Sequence, residues 1–111
     1  MYATSVLSPA QVPCFTLESL MLALNRTTID FFSLDVEGAE LQVLKTIDFN
    51  KINIRTLTVE YEHVEGGKPG LERYLVPRGM IRYKTIIDKK IWARDLFFVK
   101  KDSFPGVQSR S

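Results

Sequence analysis

The stretch FFSLDVEGAEL, residues 31–41, combines a hydrophobic run with three acidic residues placed around one glycine. Its apolar residues would occupy both faces of an extended chain, because successive side chains of a strand alternate. Burial on both faces is typical of an inner strand of a parallel sheet. Asp35, Glu37 and Glu40 therefore follow the carboxyl end of a predicted strand, and Gly38 permits a sharp turn there.

Helices and strands alternate along the rest of the chain. The hydrophobic patterns predict helix, strand, helix, strand, helix, strand, strand over residues 17–24, 29–35, 39–46, 55–61, 71–76, 80–87 and 91–99. Residues 62–70 contain three glycines and a proline, which predicts a loop. Too few residues separate the last two strands for a parallel crossover, so they form an antiparallel hairpin. The sequence thus predicts an α/β fold with a mixed sheet.

Local patterns also predict which side chains are buried. The first helix has apolar residues at i, i+3, i+4 and i+7, which predicts a core-facing stripe of Leu17, Leu20, Met21 and Leu24. The strand at 55–61 alternates apolar and polar residues, so one face should be more polar than that of a fully covered inner strand. Cys14, the single cysteine, lies between Pro13 and Phe15 and is predicted to be a small core residue.

The composition limits the classes of protein to consider. The 111 residues indicate one domain at most, and the formal net charge of +2 is too small to favour a nucleic acid or an anionic membrane as partner. One cysteine excludes an internal disulfide, and one histidine argues against a histidine-based zinc site. No segment has the roughly 18 apolar residues that a membrane-spanning helix needs.

Polar residues at two strand ends are the candidates for chemistry. Ligands of open α/β sheets bind beyond the carboxyl ends of the parallel strands. Asp35 and Glu37 follow one such strand, and Glu60, Glu62 and His63 end the next. Together they could bind a divalent cation, hydroxyl groups or a cationic ligand, with His63 as a base. Alternatively, the acids only start a helix and His63 is an ordinary loop residue; spacing alone favours this alternative, above all for Glu40.

Four segments resemble one known family. The stretch IDFFSLDVEGAELQVLKTI, residues 29–47, resembles the signature of the FkbM family of S-adenosylmethionine-dependent methyltransferases. LTVEYEH at 57–63 and DLFFVKK at 95–101 resemble its later strands, and FTLESLMLAL at 15–24 resembles the helix before the signature. The resemblance covers residues 12–102 and implies the C-terminal half of a Rossmann-like methyltransferase domain. Residues 1–11 are then a lead-in segment, and residues 103–111 a disordered tail.

The resemblance also implies roles for individual residues. The family transfers a methyl group from S-adenosylmethionine to an oxygen, here a hydroxyl of a small molecule or glycan. Asp35 would lie closest to the methyl-transfer centre and contact the cofactor. Glu37 would orient the substrate or brace the loop, whereas Glu60 and His63 would line the substrate side. The resemblance assigns no metal ligand.

The family's cofactor-binding half is missing from these 111 residues. They contain no glycine-rich cofactor loop and no strand to precede it, so we expect a fragment or a degenerate copy that does not methylate alone. In the family the missing strand pairs with the strand at 31–34. That edge would lie open unless residues 1–7, the missing half or another chain cover it.

A second hypothesis is a non-catalytic protein. Residues 22–47 also resemble a branch of arthropod proteins similar to the Star protein, which are membrane-anchored in the early secretory pathway and act in trafficking of growth-factor ligands. Asn25 heads a glycosylation sequon, which has meaning only in the endomembrane lumen. A catalytic member without that location would be cytoplasmic. The sequence leaves the compartment open.

Overall fold

Helices and strands alternate through residues 14–90 and 93–108, which are the residues that the computed structural model describes. The helices are α1 (Leu17–Leu24), α2 (Glu40–Lys45) and α3 (Gly67–Leu75). The strands are β1 (Thr28–Ile29), β2 (Phe32–Leu34), β3 (Asn53–Ile54), β4 (Thr56–Glu60), β5 (Met80–Asp88) and β6 (Ala93–Lys100). Short 3₁₀ turns follow α3 and β6, at Val76–Arg78 and Lys101–Ser103. Within the described ranges, no helix is long and apolar enough to cross a membrane.

The main sheet has the strand order β2-β4-β6-β5. Strand β2 runs parallel to β4, with Leu34 opposite Val59, whereas β6 is antiparallel to both β4 and β5. The short strands β1 and β3 also pair in parallel, upstream of β2 and β4. The predicted fold class, a mixed sheet with parallel strands and a C-terminal antiparallel hairpin, is therefore confirmed.

Helix α1 begins and ends at residues suited to those positions. The hydroxyl of Thr16 accepts a hydrogen bond from the backbone N–H of Ser19, which satisfies one free donor of the first turn. The helix ends at Asn25, which has the left-handed φ of 55° that asparagine tolerates, and whose N–H donates to the carbonyl of Leu22. The sequence predicts both ends correctly.

The core lies between the sheet and the helices α2 and α3. Leu57 of β4 and Phe98 of β6 are fully buried, as are Leu44 of α2 and Leu71 of α3. Thr58 and Glu60 alternate with the apolar residues of β4 and are buried too. One face of β4 is therefore more polar than the other, as the alternation predicts, but its polar residues Thr58 and Glu60 are covered as well.

The predicted apolar stripe of α1 is largely exposed. Met21 is buried and Leu17 packs against the core, but Leu20 and Leu24 are exposed, Leu24 at 67%. Cys14 is also exposed and is not a core residue. Helical periodicity correctly predicts the helix and its apolar stripe. It does not predict how much of that stripe packs against the rest of the described chain.

Helix α3 begins at Gly67, four residues earlier than predicted, so residues 67–70 are helix and not loop. Pro69 lies in the first turn, where a missing N–H removes no helical hydrogen bond. Gly70 is buried, and a Cβ added to it would lie 3.0 Å from the carbonyl oxygen of Glu65. This close approach explains a glycine that the sequence pattern alone assigns to a loop.

The predicted strand edge, lead-in segment and tail can be compared with the described residues only in part. Among the described residues β2 pairs with β4 alone. The predicted lead-in at 1–11 and the cover proposed from residues 1–7 lie outside the described residues, as do residues 109–111. Residues 103–108, predicted as part of a disordered tail, are described: Ser103 ends a 3₁₀ turn, and the Arg55 guanidinium lies 5.2 Å from the Phe104 ring centre.

We expect Leu57→Ala to lower the free energy of unfolding by about 2–5 kcal/mol, because Leu57 is fully buried in the central strand. The matched control is Leu22→Ala on α1, where the leucine is 74% exposed and the change should stay within about 0.5 kcal/mol. Urea denaturation followed by circular dichroism measures both. Equal losses for the two variants would contradict this packing.

Candidate functional site

The loops that follow β2 and β4 touch each other. Gly38 has a φ of +101°, which side chains rarely adopt, and a Cβ added to it would lie 3.1 Å from the carbonyl oxygen of His63. The turn after β2 therefore rests directly on the backbone of the loop after β4. As predicted, the parallel pairing brings the two polar strand ends together.

Glu40 fastens the turn that follows Asp35. It is the first residue of α2, and its side chain is completely buried. Its carboxylate accepts hydrogen bonds from the N–H of Val36 at 2.7 Å and from the N–H of Gly38 at 2.9 Å. Glu40 therefore lies in the first turn of a helix, as predicted, but its carboxylate binds the turn that precedes the helix. That turn includes Glu37, which has a left-handed φ of 55°.

Glu60 is a second buried carboxylate, at the end of β4. Its Oε1 accepts a hydrogen bond from the N–H of Glu62 at 2.8 Å and lies 3.5 Å from Nδ1 of His63. Its Oε2 is buried and has no hydrogen-bond partner among the described residues. The His63 side chain is 63% exposed, so its imidazole contacts Glu60 on one side and solvent on the other.

Asp35, Glu40 and Glu60 form one carboxylate cluster, in which one oxygen of each lies within 4.8 Å of the others. Two unit charges at about 5 Å repel by about 3 kcal/mol at an effective dielectric constant near 20. Among the described residues no Lys or Arg forms an ion pair with any of the three. The cluster therefore concentrates negative charge at the carboxyl end of the parallel strands.

A fourth acid stands beside the carboxylate cluster. Asp95 of β6 lies directly opposite Glu60 in the antiparallel register. Burial raises the pKa of Asp95 above its usual value, and the negative charge of Asp35 raises it further. The negative electrostatic potential at this edge of the sheet thus favours the protonated form of Asp95 and the approach of positively charged groups.

The structure brings together three of the four predicted site residues. Asp35, Glu60 and His63 meet at the strand ends, whereas Glu37 is exposed and takes no part in the carboxylate cluster. Sequence reasoning missed Asp95, because its place opposite Glu60 depends on the register of the hairpin. It also missed the bonds of Glu40 to the turn, although a carboxylate on the first turn of a helix is within reach of nearby N–H groups.

Comparison with known proteins supports the class that this fold suggests. A parallel pair of strands followed by an antiparallel hairpin is compatible with part of a methyltransferase fold. A family model described as the methyltransferase FkbM domain matches residues 2–85, so the chain belongs to the FkbM methyltransferase family. The predicted family is therefore confirmed.

One curated relative shows how much of a whole protein this chain represents. The chain is 37% identical over 70 residues to a protein named methyltransferase sdnD from Sordaria araneosa. The match covers 62% of this chain and 26% of that protein, so the chain corresponds to about a quarter of its relative. No solved structure matches the chain significantly.

Removal of the Glu40 carboxylate should loosen the turn after β2. In Glu40→Ala we expect amide hydrogen exchange at Val36 and Gly38 to accelerate at least about tenfold, because both donors lose their acceptor. Glu37→Ala is the matched control and should leave both amides unchanged. Exchange measured by NMR tests this, and unchanged protection in Glu40→Ala would contradict the role of Glu40.

Asp95 should make stability depend on pH. Because its pKa is raised in the folded state, its contribution favours folding at low pH and is lost as the pH rises from 3.8 through the raised value. We therefore expect Asp95→Asn to be more stable than the wild type at pH 7. The difference should shrink as the pH falls towards 3.8.

Urea denaturation at several pH values measures this difference. Glu65→Gln makes the same change of net charge at an exposed position, so it controls for overall charge. A difference between Asp95→Asn and the wild type that stays constant with pH, or that has the opposite sign at pH 7, would contradict the environment described for Asp95.

Proposed function

We propose that this chain forms the acceptor side of a methyltransferase domain that transfers a methyl group from S-adenosylmethionine to a hydroxyl oxygen of a small molecule or glycan. Membership of the FkbM family supports the reaction class. The observation that carries the proposal is the meeting of Asp35 and Glu60 at the carboxyl ends of paired parallel strands, where α/β folds bind their ligands.

The proposed roles follow from exposure and contacts. Asp35 is exposed at the strand end, so its carboxylate can accept hydrogen bonds from the cofactor and lie nearest the methyl-transfer centre. The Glu60 carboxylate, 3.5 Å from Nδ1 of His63, orients the imidazole. The other ring nitrogen of His63 is then free to take the proton of the acceptor hydroxyl. Glu37, exposed on the same turn, is placed to contact the substrate.

The chain fits the cofactor only in part. S-adenosylmethionine supplies an electrophilic methyl group when it is bound. Asp35 provides one suitable acceptor, but the 111 residues contain no glycine-rich loop to hold the rest of the cofactor. We therefore propose that the chain alone neither binds the cofactor nor methylates, and that a cofactor-binding half must complete the site.

The alternative proposal is a non-catalytic Star-like trafficking protein that keeps the fold without the chemistry. Asn25 of its sequon is exposed at the end of α1, so a glycosyltransferase could reach it. Detection of a glycan on Asn25 in the protein from its own cells would favour this alternative, because the modification requires the lumen of the endomembrane system.

A chimera tests the enzymatic proposal. In methyltransferase sdnD, the 70-residue segment that matches this chain would be replaced by the corresponding residues of this chain. We expect calorimetry to show binding of S-adenosylhomocysteine by the chimera and none by the isolated chain. Methylation of the parent's own acceptor should survive in the chimera and fall at least about tenfold with Asp35→Asn.

Two results would contradict the enzymatic proposal. One is cofactor binding by the isolated 111 residues. The other is a folded chimera that binds the cofactor but methylates equally well with and without Asp35. Glu65→Gln in the chimera is the control, since Glu65 is an exposed acid outside the carboxylate cluster.

A further inference from the structure

We propose that a cavity beside the carboxyl ends of α2 and α3 binds a tetrahedral oxyanion, the phosphate or sulfate group of a larger ligand. The cavity has a volume of about 810 Å³, and three cationic side chains line it: Lys45, Arg78 and Lys100. They come from α2, from the 3₁₀ turn after α3 and from β6, so the fold brings three positive charges to one cavity. Phosphate and sulfate oxygens are strong acceptors for Arg and Lys.

The cavity lies at the end of the sheet opposite to the carboxylate cluster. Asp95 of β6 pairs with Glu60 at the end of β4, whereas the N–H of Lys100 donates to the carbonyl of Arg55, just before β4. Five steps along β6 lead from Asp95 to Lys100, a distance of about 17 Å at about 3.4 Å per residue. The proposed anion site therefore shares no residue with the carboxylate cluster and does not depend on methyl transfer.

The guanidinium of Arg78 is held in place by Tyr74, which also lines the cavity. Its Nη1 donates to the carbonyl of Tyr74 at 2.7 Å, and its Cζ lies 3.6 Å from the centre of the tyrosine ring. The Tyr74 hydroxyl donates in turn to the carbonyl of Leu44 in α2, at 3.4 Å. Because the planar guanidinium is already oriented, its remaining N–H groups can bind an oxyanion with little further loss of side-chain entropy.

Acids of the described chain leave the three cations unpaired. Asp48 and Asp102 also line the cavity, so three positive and two negative side chains leave it one net positive charge. Neither acid forms an ion pair with any of the cations, and Asp48 already accepts a hydrogen bond from the N–H of Asn50 at 2.9 Å. An anionic ligand would therefore pair with charges that the described residues leave open.

Helix ends explain only two of the three cations. Lys45 lies in the last turn of α2 and Arg78 in the last turn of the 3₁₀ turn, where positive charge complements the helix dipole. Lys100 instead precedes the 3₁₀ turn at Lys101–Ser103, where the same effect has the opposite sign. A Cβ added to Gly79 would lie 3.6 Å from Cε of Lys100, so this lysine lies against the turn that carries Arg78. The position of Lys100 thus favours a ligand as the reason for the cluster.

Titration of the isotope-labelled 111-residue chain with inorganic phosphate at pH 7 and constant ionic strength, followed by NMR, tests the site. We expect saturable shifts of the amide signals of Asn50 and Gly79, which line the cavity. Arg78→Gln and Lys45→Gln should each weaken binding at least about tenfold, because each removes a charged donor. Arg26→Gln makes the same charge change at an exposed position outside the cavity and should leave the affinity unchanged.

Two further titrations define the ligand. Arg78→Lys keeps the charge but loses the planar fork, so it should weaken phosphate binding at least about threefold. Inorganic sulfate, titrated in the same way, separates the two sources of the oxyanion. Tighter binding of phosphate indicates a phosphate ester as the natural group, and tighter binding of sulfate indicates a sulfate ester.

Circular dichroism establishes that each variant is folded. If Arg78→Gln does not fold, Lys45→Gln decides alone, because Lys45 is exposed and can be changed without disturbing the core. Shifts that do not saturate, or that chloride at the same ionic strength reproduces, would overturn the proposal. Weakening by Arg26→Gln equal to that by the cavity variants, or unchanged binding in Arg78→Lys, would also overturn it. Failure here would leave methyl transfer untouched, since the chimera tests that separately.

Discussion

The parallel pairing of β2 with β4 is the constraint on which the candidate site depends. Leu34, the last residue of β2, lies opposite Val59 of β4, and the next residue along the chain is an acid in both cases. Asp35 and Glu60 meet for this reason, although 25 positions separate them in the sequence. A shift of this register by one residue would turn Glu60 away from Asp35 and expose the apolar face of β4.

The turn after β2 maintains this meeting by two further contacts. Gly38 allows the turn to approach the carbonyl of His63 closely, and Glu40 holds the N–H groups of Val36 and Gly38. A buried carboxylate is unfavourable unless it is hydrogen-bonded, and Glu40 is satisfied by the backbone. Glu60 is satisfied on one oxygen only. The turn therefore explains how the Glu40 carboxylate is stabilised in the interior, but it contributes no hydrogen bond to Oε2 of Glu60.

The sequence predicts the order of elements and the meeting of the two strand ends, because hydrophobic periodicity and strand alternation are local properties. It does not predict which faces are covered: Leu24 is exposed, whereas Thr58 is buried. It also misses the early start of α3, because Gly70 is explained only by its contact with the carbonyl of Glu65. Asp95 joins the site through hairpin register, which no local pattern specifies.

The central claim is that β2–β4 pairing places the carboxylates of Asp35 and Glu60 close enough for their charges to repel each other, with one oxygen of each within 4.8 Å of the other. A double-mutant cycle of Asp35→Asn and Glu60→Gln, measured by urea denaturation in metal-free buffer at pH 7, tests it most directly. Neutralising either acid relieves the same repulsion, so the second change should gain less than the first, with a coupling of about 0.5 kcal/mol or more. Effects that add within about 0.3 kcal/mol would contradict the contact and the site built on it.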